Sequence, residues 1–222
     1  MNIVKGVEIF GGVEQEPNIY VVDGELVIDC GTGSIFSDVR KAIEGRYEVY
    51  KIKKIANTHG HFDHAGGTKK FRDWLKAEVM AHQNARVMFE EGTNTLAELF
   101  DQVHRVVTID RFLRDGATLK TTNFSFQIVH APGHTPGSIC LYEPEKRILF
   151  TGDTLFEDSI GRFDLPGGDK DKMYSTLLKL LELNVQYVFP GHGPPKVGGF
   201  SFHVKQMLAR FGENRFINYN YY

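Results

Sequence analysis

The sequence predicts an α/β (α+β) protein in which two mixed β-sheets face each other with helices packed outside. Three observations carry this expectation. Strand-like runs alternate with helix-like segments through the first half, a hairpin signal stands near the start, and a second set of period-two runs follows Asp110. No internal repeat, low-complexity tract or long Pro/Ser linker divides the chain, so one domain over residues 1–222 is expected.

Residues 18–22 and 25–29 are β-rich and joined by Asp23-Gly24, a dipeptide suited to a tight hairpin turn. Ser34 fits an N-cap for a helix reaching Gly45, with Val39 and Ile43 one turn apart. Residues 53–58 form a short strand leading into His59, 66–76 a helix by the spacing of Phe71, Trp74 and Leu75, and 78–81 another strand. The apolar spacing over residues 83–103, broken at Gly92, predicts two helices. Phe124, Phe126, Ile128 and His130 then alternate, and Ile139/Leu141 and Ile148/Phe150 repeat the pattern in a second sheet. Residues 171–183 carry a helical stripe, 186–189 a last strand, and 200–211 a closing helix before an aromatic tail.

Composition removes several classes of function. Lys+Arg 26 against Asp+Glu 28 gives a formal charge of -2, so no basic excess is available for nucleic acid or an anionic membrane surface. Hydrophobic residues at 41% and charged residues at 24% are those of an ordinary folded soluble chain. No apolar run approaches the roughly 18 residues needed to span a bilayer, and the first residues lack a signal-peptide core, so a cytoplasmic protein is expected. Cys30 and Cys140 stand in apolar strand contexts, as reduced core thiols do.

Histidine placement carries the chemistry. Of 9 histidines, five fall in three Gly- or Pro-rich stretches. In Thr58-His59-Gly60-His61-Phe62-Asp63-His64, alternate residues of an extended segment share a side, so His59, His61 and Asp63 converge and His64 joins as the chain turns. Four donors from one loop exceed what one tetrahedral ion takes while leaving room for other ligands, which points to two metals. Asp63 is expected on an exposed loop. His134 in the 131–137 loop, Asp153 in the 150–168 stretch and His192 in the 189–195 loop each follow a β-run. Nitrogen and oxygen donors without a nearby Cys suit Zn, Fe or Mn. His82, His104, His130 and His203 are left as surface or hydrogen-bonded histidines.

These loops, with 58–67 as the first of them, resemble the metallo-β-lactamase superfamily over about residues 3–196. Gly152-Asp153-Thr154-Leu155-Phe156 and the run from Ile160 to Gly168 are similar to its glyoxalase II-like branch, especially short single-domain members. The resemblance implies a four-layer αββα sandwich with metals at one edge between the sheets. It implies His59, His61 and His134 on a first metal, Asp63, His64 and His192 on a second, and Asp153 bridging, so that Asp63 and Asp153 are catalytic. Asp29 would orient a ligand His or cap the Ser34 region.

The implied activity is hydrolysis of a small thioester or ester by a binuclear centre, two divalent ions with Zn first and Fe or Mn possible, through a metal-bridged hydroxide. Where full-length glyoxalase II enzymes place a Lys and a Tyr against glutathione, this chain offers Arg162 and Asp164, and little chain follows Lys196 for their helical domain. Glutathione itself is therefore not implied, while an anionic small-molecule substrate is. Arg162 would bind a substrate carboxylate or pair with Asp164 or Asp158. Three alternatives remain at this stage: a mononuclear iron persulfide dioxygenase on His59, His134 and Asp153; a lactonase or β-lactamase-like hydrolase; and a non-enzymatic metal-binding domain. The apolar 89–103 region and the Tyr-rich tail raise a homodimer; no nucleic-acid or membrane partner is expected.

Overall fold

In the computed structural model, which describes residues 3–12 and 16–211, two six-stranded sheets face each other. Sheet A runs in sequence order through β1 (Val7–Gly11), β2 (Asn18–Val22), β3 (Leu26–Ile28), β4 (Lys54–Ala56), β5 (Glu78–Ala81) and β6 (Arg111–Phe112). Its first three strands are antiparallel and the rest parallel to β3. Sheet B comprises β7 (Thr118–Lys120), β8 (Ser125–His130), β9 (Ile139–Glu143), β10 (Ile148–Gly152), β11 (Tyr187–Pro190) and β12 (Lys196–Val197), with one parallel pair, β10 and β11.

Three apolar layers make the αββα order. Between the sheets lie Tyr20, Leu26 and Ile28 from sheet A and Phe126, Phe150 and Phe189 from sheet B. Outside sheet A, α1 (Phe36–Glu44) and α3 (Thr68–Leu75) press Val39, Ile43 and Phe71 onto Ile19 and Val21. Outside sheet B, α5 (Lys170–Leu181) and α6 (Phe200–Phe211) cover Cys140 and Leu149 with Met173, Leu177 and Val204. Neighbours on β2 thus feed opposite layers, which is why its five residues are all buried. Burial also drives both thiols upward, that of Cys140 to about 12, consistent with inert core cysteines.

The hairpin forms as its dipeptide requires, with Asp23 and Gly24 at φ 55 and 64. Three local expectations are corrected. Ser34 caps nothing: α1 starts at Phe36 without a side-chain cap, because the Ser34 hydroxyl donates to Glu16 instead. The 83–103 stretch holds one short helix, α4 (Arg86–Glu91), closed by Gly92 at φ 74, and two 3-10 turns, Gln83–Ala85 and Ala97–Phe100. The helix expected from residue 66 is preceded by α2 (Phe62–Ala65), so the metal motif itself winds into a helix. Strands β1, β6, β7 and β12 lacked a clear pattern; β6 and β12 are two residues long. Residues 212–222, including the aromatic tail, lie outside the described residues. No described helix is long and apolar enough to cross a membrane.

Candidate metal centre

Five loops converge where β3, β4, β8, β10 and β11 end, and each carries one or more of the residues singled out in the sequence. The convergence is stapled by backbone bonds across the sandwich. Ile139 N–H donates to the Thr58 carbonyl at 2.9 Å, and Asn18 N–H to the Gly191 carbonyl at 2.7 Å. The Asn18 amide adds bonds to the carbonyls of Pro190, 3.0 Å, and Gly193, 2.8 Å, fixing the His192 loop to the hairpin.

Two groups of donors result: His59, His61 and His134 in one, and Asp63, His64, Asp153 and His192 in the other, with the ligating atoms of each within 4.8 Å of one another. All seven are buried. Asp63 is therefore not on an exposed loop; it is 2% exposed, because α2 turns it inward between His64 and His192. Its Oδ2 lies 3.0 Å from His192 Nε2, and His64 Nε2 lies 3.2 Å from His192 Nε2. Asp153 stands between the groups. Its Oδ2 is 3.7 Å from His134 Nε2 on one side and 3.7 Å from His192 Nε2 on the other, while Oδ1 is 3.1 Å from His64 Nε2.

The backs of the rings are held in defined tautomers. His134 Nδ1 donates to the Arg162 carbonyl at 2.7 Å, leaving Nε2 as the lone-pair nitrogen. His64 Nδ1 donates to Asp29 Oδ2 at 2.8 Å. The Thr58 hydroxyl spends its proton on the same oxygen at 2.7 Å, so at 3.1 Å it accepts from His59 Nδ1. Asp29 Oδ1 takes the Thr58 backbone N–H at 2.7 Å. Asp29, itself left-handed at φ 58, thus orients a histidine of each group and takes the first of its two expected roles. The Thr58 hydroxyl was not singled out in the sequence. Its signal is there: a hydroxyl directly beside a ligand histidine, at the end of a strand that pairs with the one leading to Asp29.

Ions fit this donor set. His59 Nε2, both nitrogens of His61 and His134 Nε2 are buried without a hydrogen-bond partner, a cost that a cation would relieve. Burial, with His64 nearby, pushes His59 well below the ordinary histidine range, and burial, with His134, takes His61 to about 3, so both present neutral lone pairs. The second group needs positive charge. Burial opposes a charge on His64, but Asp153, Asp63 and Asp29 outweigh it and raise its pKa well above the ordinary value. Burial likewise opposes the two carboxylates, yet His64 and His192 hold Asp63 low and Asp153 well below the carboxylate range. Without an ion, a histidine proton balances the carboxylates.

Glycines let the loops close. A Cβ on Gly191 would stand 2.1 Å from Asp153 Oδ1, and one on Gly161 1.7 Å from the Asp153 carbonyl oxygen. Arg162 contributes its carbonyl to His134, while its guanidinium binds Asp164 through Nε–Oδ1 at 3.0 Å and Nη2–Oδ2 at 2.8 Å. The pairing with Asp164 is one of the roles expected of that cation. The remaining histidines are bonded elsewhere: His203 to the Phe156 carbonyl, His104 to that of Phe89, and His130 to that of Pro136, while His82 accepts from Asn84 N–H.

A family model, the metallo-β-lactamase superfamily, matches residues 13–192 and so spans Asp29 and all seven donors, from His59 to His192. The chain belongs to the metallo-β-lactamase superfamily. Within it the chain is glyoxalase II-like: it is 38% identical over 150 residues to hydroxyacylglutathione hydrolase GloC of Haemophilus influenzae, covering 64% of this chain and 69% of that protein. Two solved structures share the fold. TTHA1623 in a di-iron-bound form is 30% identical at TM-score 0.72, covering 89% of this chain and 97% of that one. The BLEG-1 B3 metallo-β-lactamase is 29% identical at TM-score 0.72, covering 86% and 93%. The chain is thus a metallo-hydrolase-type member of the superfamily with donors for two ions.

Proposed function

We propose that the protein is a binuclear metal-dependent hydrolase of a small thioester, with zinc as the first candidate ion and iron as the second. The observation that carries this reading is the pair of complete donor groups with Asp153 between them. Three neutral imidazoles suit one ion, and two imidazoles with Asp63 and Asp153 suit another. Two divalent ions there supply Lewis acidity and bring the pKa of water close to neutrality.

The residues of the chain do the rest. Thr58, Asp29 and the Arg162 carbonyl keep three rings in the tautomer that presents Nε2. Burial of all seven donors keeps bulk water from competing for them. Two ligand carboxylates offset only part of the charge of two divalent ions, which favours an anionic substrate. The similarity to a hydroxyacylglutathione hydrolase supports a thioester over a lactam.

The test is elemental analysis of protein purified without added metal, together with thioester hydrolysis and oxygen uptake on a persulfide. Two ions per chain with hydrolysis is the expected result. One iron per chain with oxygen uptake would replace this reading by a mononuclear dioxygenase.

A further inference from the structure

A cavity of about 560 Å³ lies against α2, the helix that carries the donors Asp63 and His64, and is walled by Phe62 and Gly66. Phe62 sits in the chain between His61 and Asp63, so this cavity and the metal centre share one wall. Its other walls come from Glu16, which precedes β2, the Thr32–Ile35 loop, Lys70 of α3, and Phe100, Gln102, Val103 and Arg105. The volume is that of a site for a small organic ligand.

Charge in the cavity is unbalanced. Its one acid, Glu16, is already engaged by Thr32 N–H, the Thr32 hydroxyl and the Ser34 hydroxyl. Lys70 Nζ gives one bond, to the Gly33 carbonyl at 2.5 Å, and has two further protons. Arg105 is exposed and has no acidic partner among the described residues. Arg162, the cation expected to meet a substrate anion, is matched by Asp164.

The apolar part of the cavity is held open at a cost. Phe100 stands 5.6 Å from Phe62, ring to ring, at the end of a 3-10 turn bounded by Leu96 and Asp101 at φ 62 and 51. Two non-glycine residues in the left-handed region are an expense that persists where surroundings impose it. Here the Thr95 carbonyl accepts Phe62 N–H at 2.7 Å and Leu96 is buried. At the rim, Val103 is left 85% exposed, as an apolar wall awaiting a ligand would be.

We propose that this cavity takes the carboxylate-bearing thiol half of the thioester substrate, with Arg105 and Lys70 as its cations and Phe62 and Phe100 as its apolar contacts. The assignment rests on the hydrolase reading above and moves recognition of the substrate anion from Arg162 to the cavity beside Phe62.

The test uses the full chain with its metals and a matched pair of substrates, an S-acyl glutathione and the same thioester with both carboxylates esterified. Arg105→Ala and Lys70→Gln should each raise KM for the charged thioester about fivefold, the size of one partly exposed charge pair, with kcat unchanged. KM for the esterified partner should stay constant, and Arg105→Lys should recover part of the loss. Arg162→Ala should not discriminate between the two. Equal KM changes for both thioesters, or none, would overturn the proposal. Calorimetry with a non-hydrolysable S-alkyl glutathione separates the two levels. Binding that depends on Arg105 without any hydrolysis would keep the cavity and remove the hydrolase reading; hydrolysis with Arg105-independent binding would do the reverse.

Discussion

Asp29 Oδ2 accepts His64 Nδ1 at 2.8 Å and, on the same oxygen, the Thr58 hydroxyl whose other bond comes from His59. One carboxylate therefore sets a ring in each donor group. Asp29→Asn should weaken both ions, by about 10- to 100-fold in affinity as such outer contacts do, whereas Thr58→Val should weaken mainly the His59 group. Thr58→Ser should restore it. Titration of each variant against a chelator of known affinity checks this; equal, small effects of Asp29→Asn and Thr58→Val would show that tautomer control is not their role.

Gly191 has no room for a side chain, since a Cβ would lie 2.1 Å from Asp153 Oδ1 and 2.6 Å from His64 Cε1. Gly191→Ala should displace Asp153 and His64, lowering metal content and destabilising the fold by about 1–3 kcal/mol. Gly116→Ala is a contrasting change: nothing lies within 4 Å of its Cβ, although φ is 74, so its cost should be backbone strain alone with full metal content. Melting curves and elemental analysis of the two variants give the comparison.

His82 and His130 stack at 3.9 Å with planes 10° apart, beside the loop that carries His134. Burial, then the His130 charge, lowers the His82 pKa from 6.5 to about 4, against a smaller opposite effect of Asp115. Asp115 is itself held by Lys179 Nζ at 2.7 Å. The unfolded chain takes up this proton first, so the contribution of His82 to stability is complete above about pH 6.5 and is lost as pH falls toward about 4. His82→Asn, which can still accept from Asn84 N–H, should flatten the stability difference across that window. An unchanged pH slope would show that His82 does not titrate there.

The sequence made the donors legible because each follows a β-run and breaks it with Gly or Pro. His59, His61, His134 and His192 needed no tertiary information to be noticed. What it hid was depth. Asp63 reads as a loop carboxylate, yet α2 starts at Phe62 and turns it into the centre, a helix too short for any apolar periodicity to mark. Ser34 has the residue type of a cap, but Glu16, just before β2, competes for its hydroxyl, a contact eighteen positions away in the chain. The 83–103 stretch carries apolar spacing that serves packing of α4 and a strained turn rather than a second helix. Strand β2 shows no alternation because both of its faces are covered.

The most direct measurement is metal content per chain, by elemental analysis, of the unaltered protein, Asp63→Ala and Asp153→Asn side by side with thioester hydrolysis. With Asp153 Oδ2 at 3.7 Å from a histidine of each group, two ions are expected in the unaltered protein. Asp63→Ala should keep about one, and Asp153→Asn should weaken both, with hydrolysis falling at least about 10- to 100-fold. Two ions and full hydrolysis in Asp63→Ala would contradict a shared binuclear centre, as would a single ion that only Asp153→Asn removes.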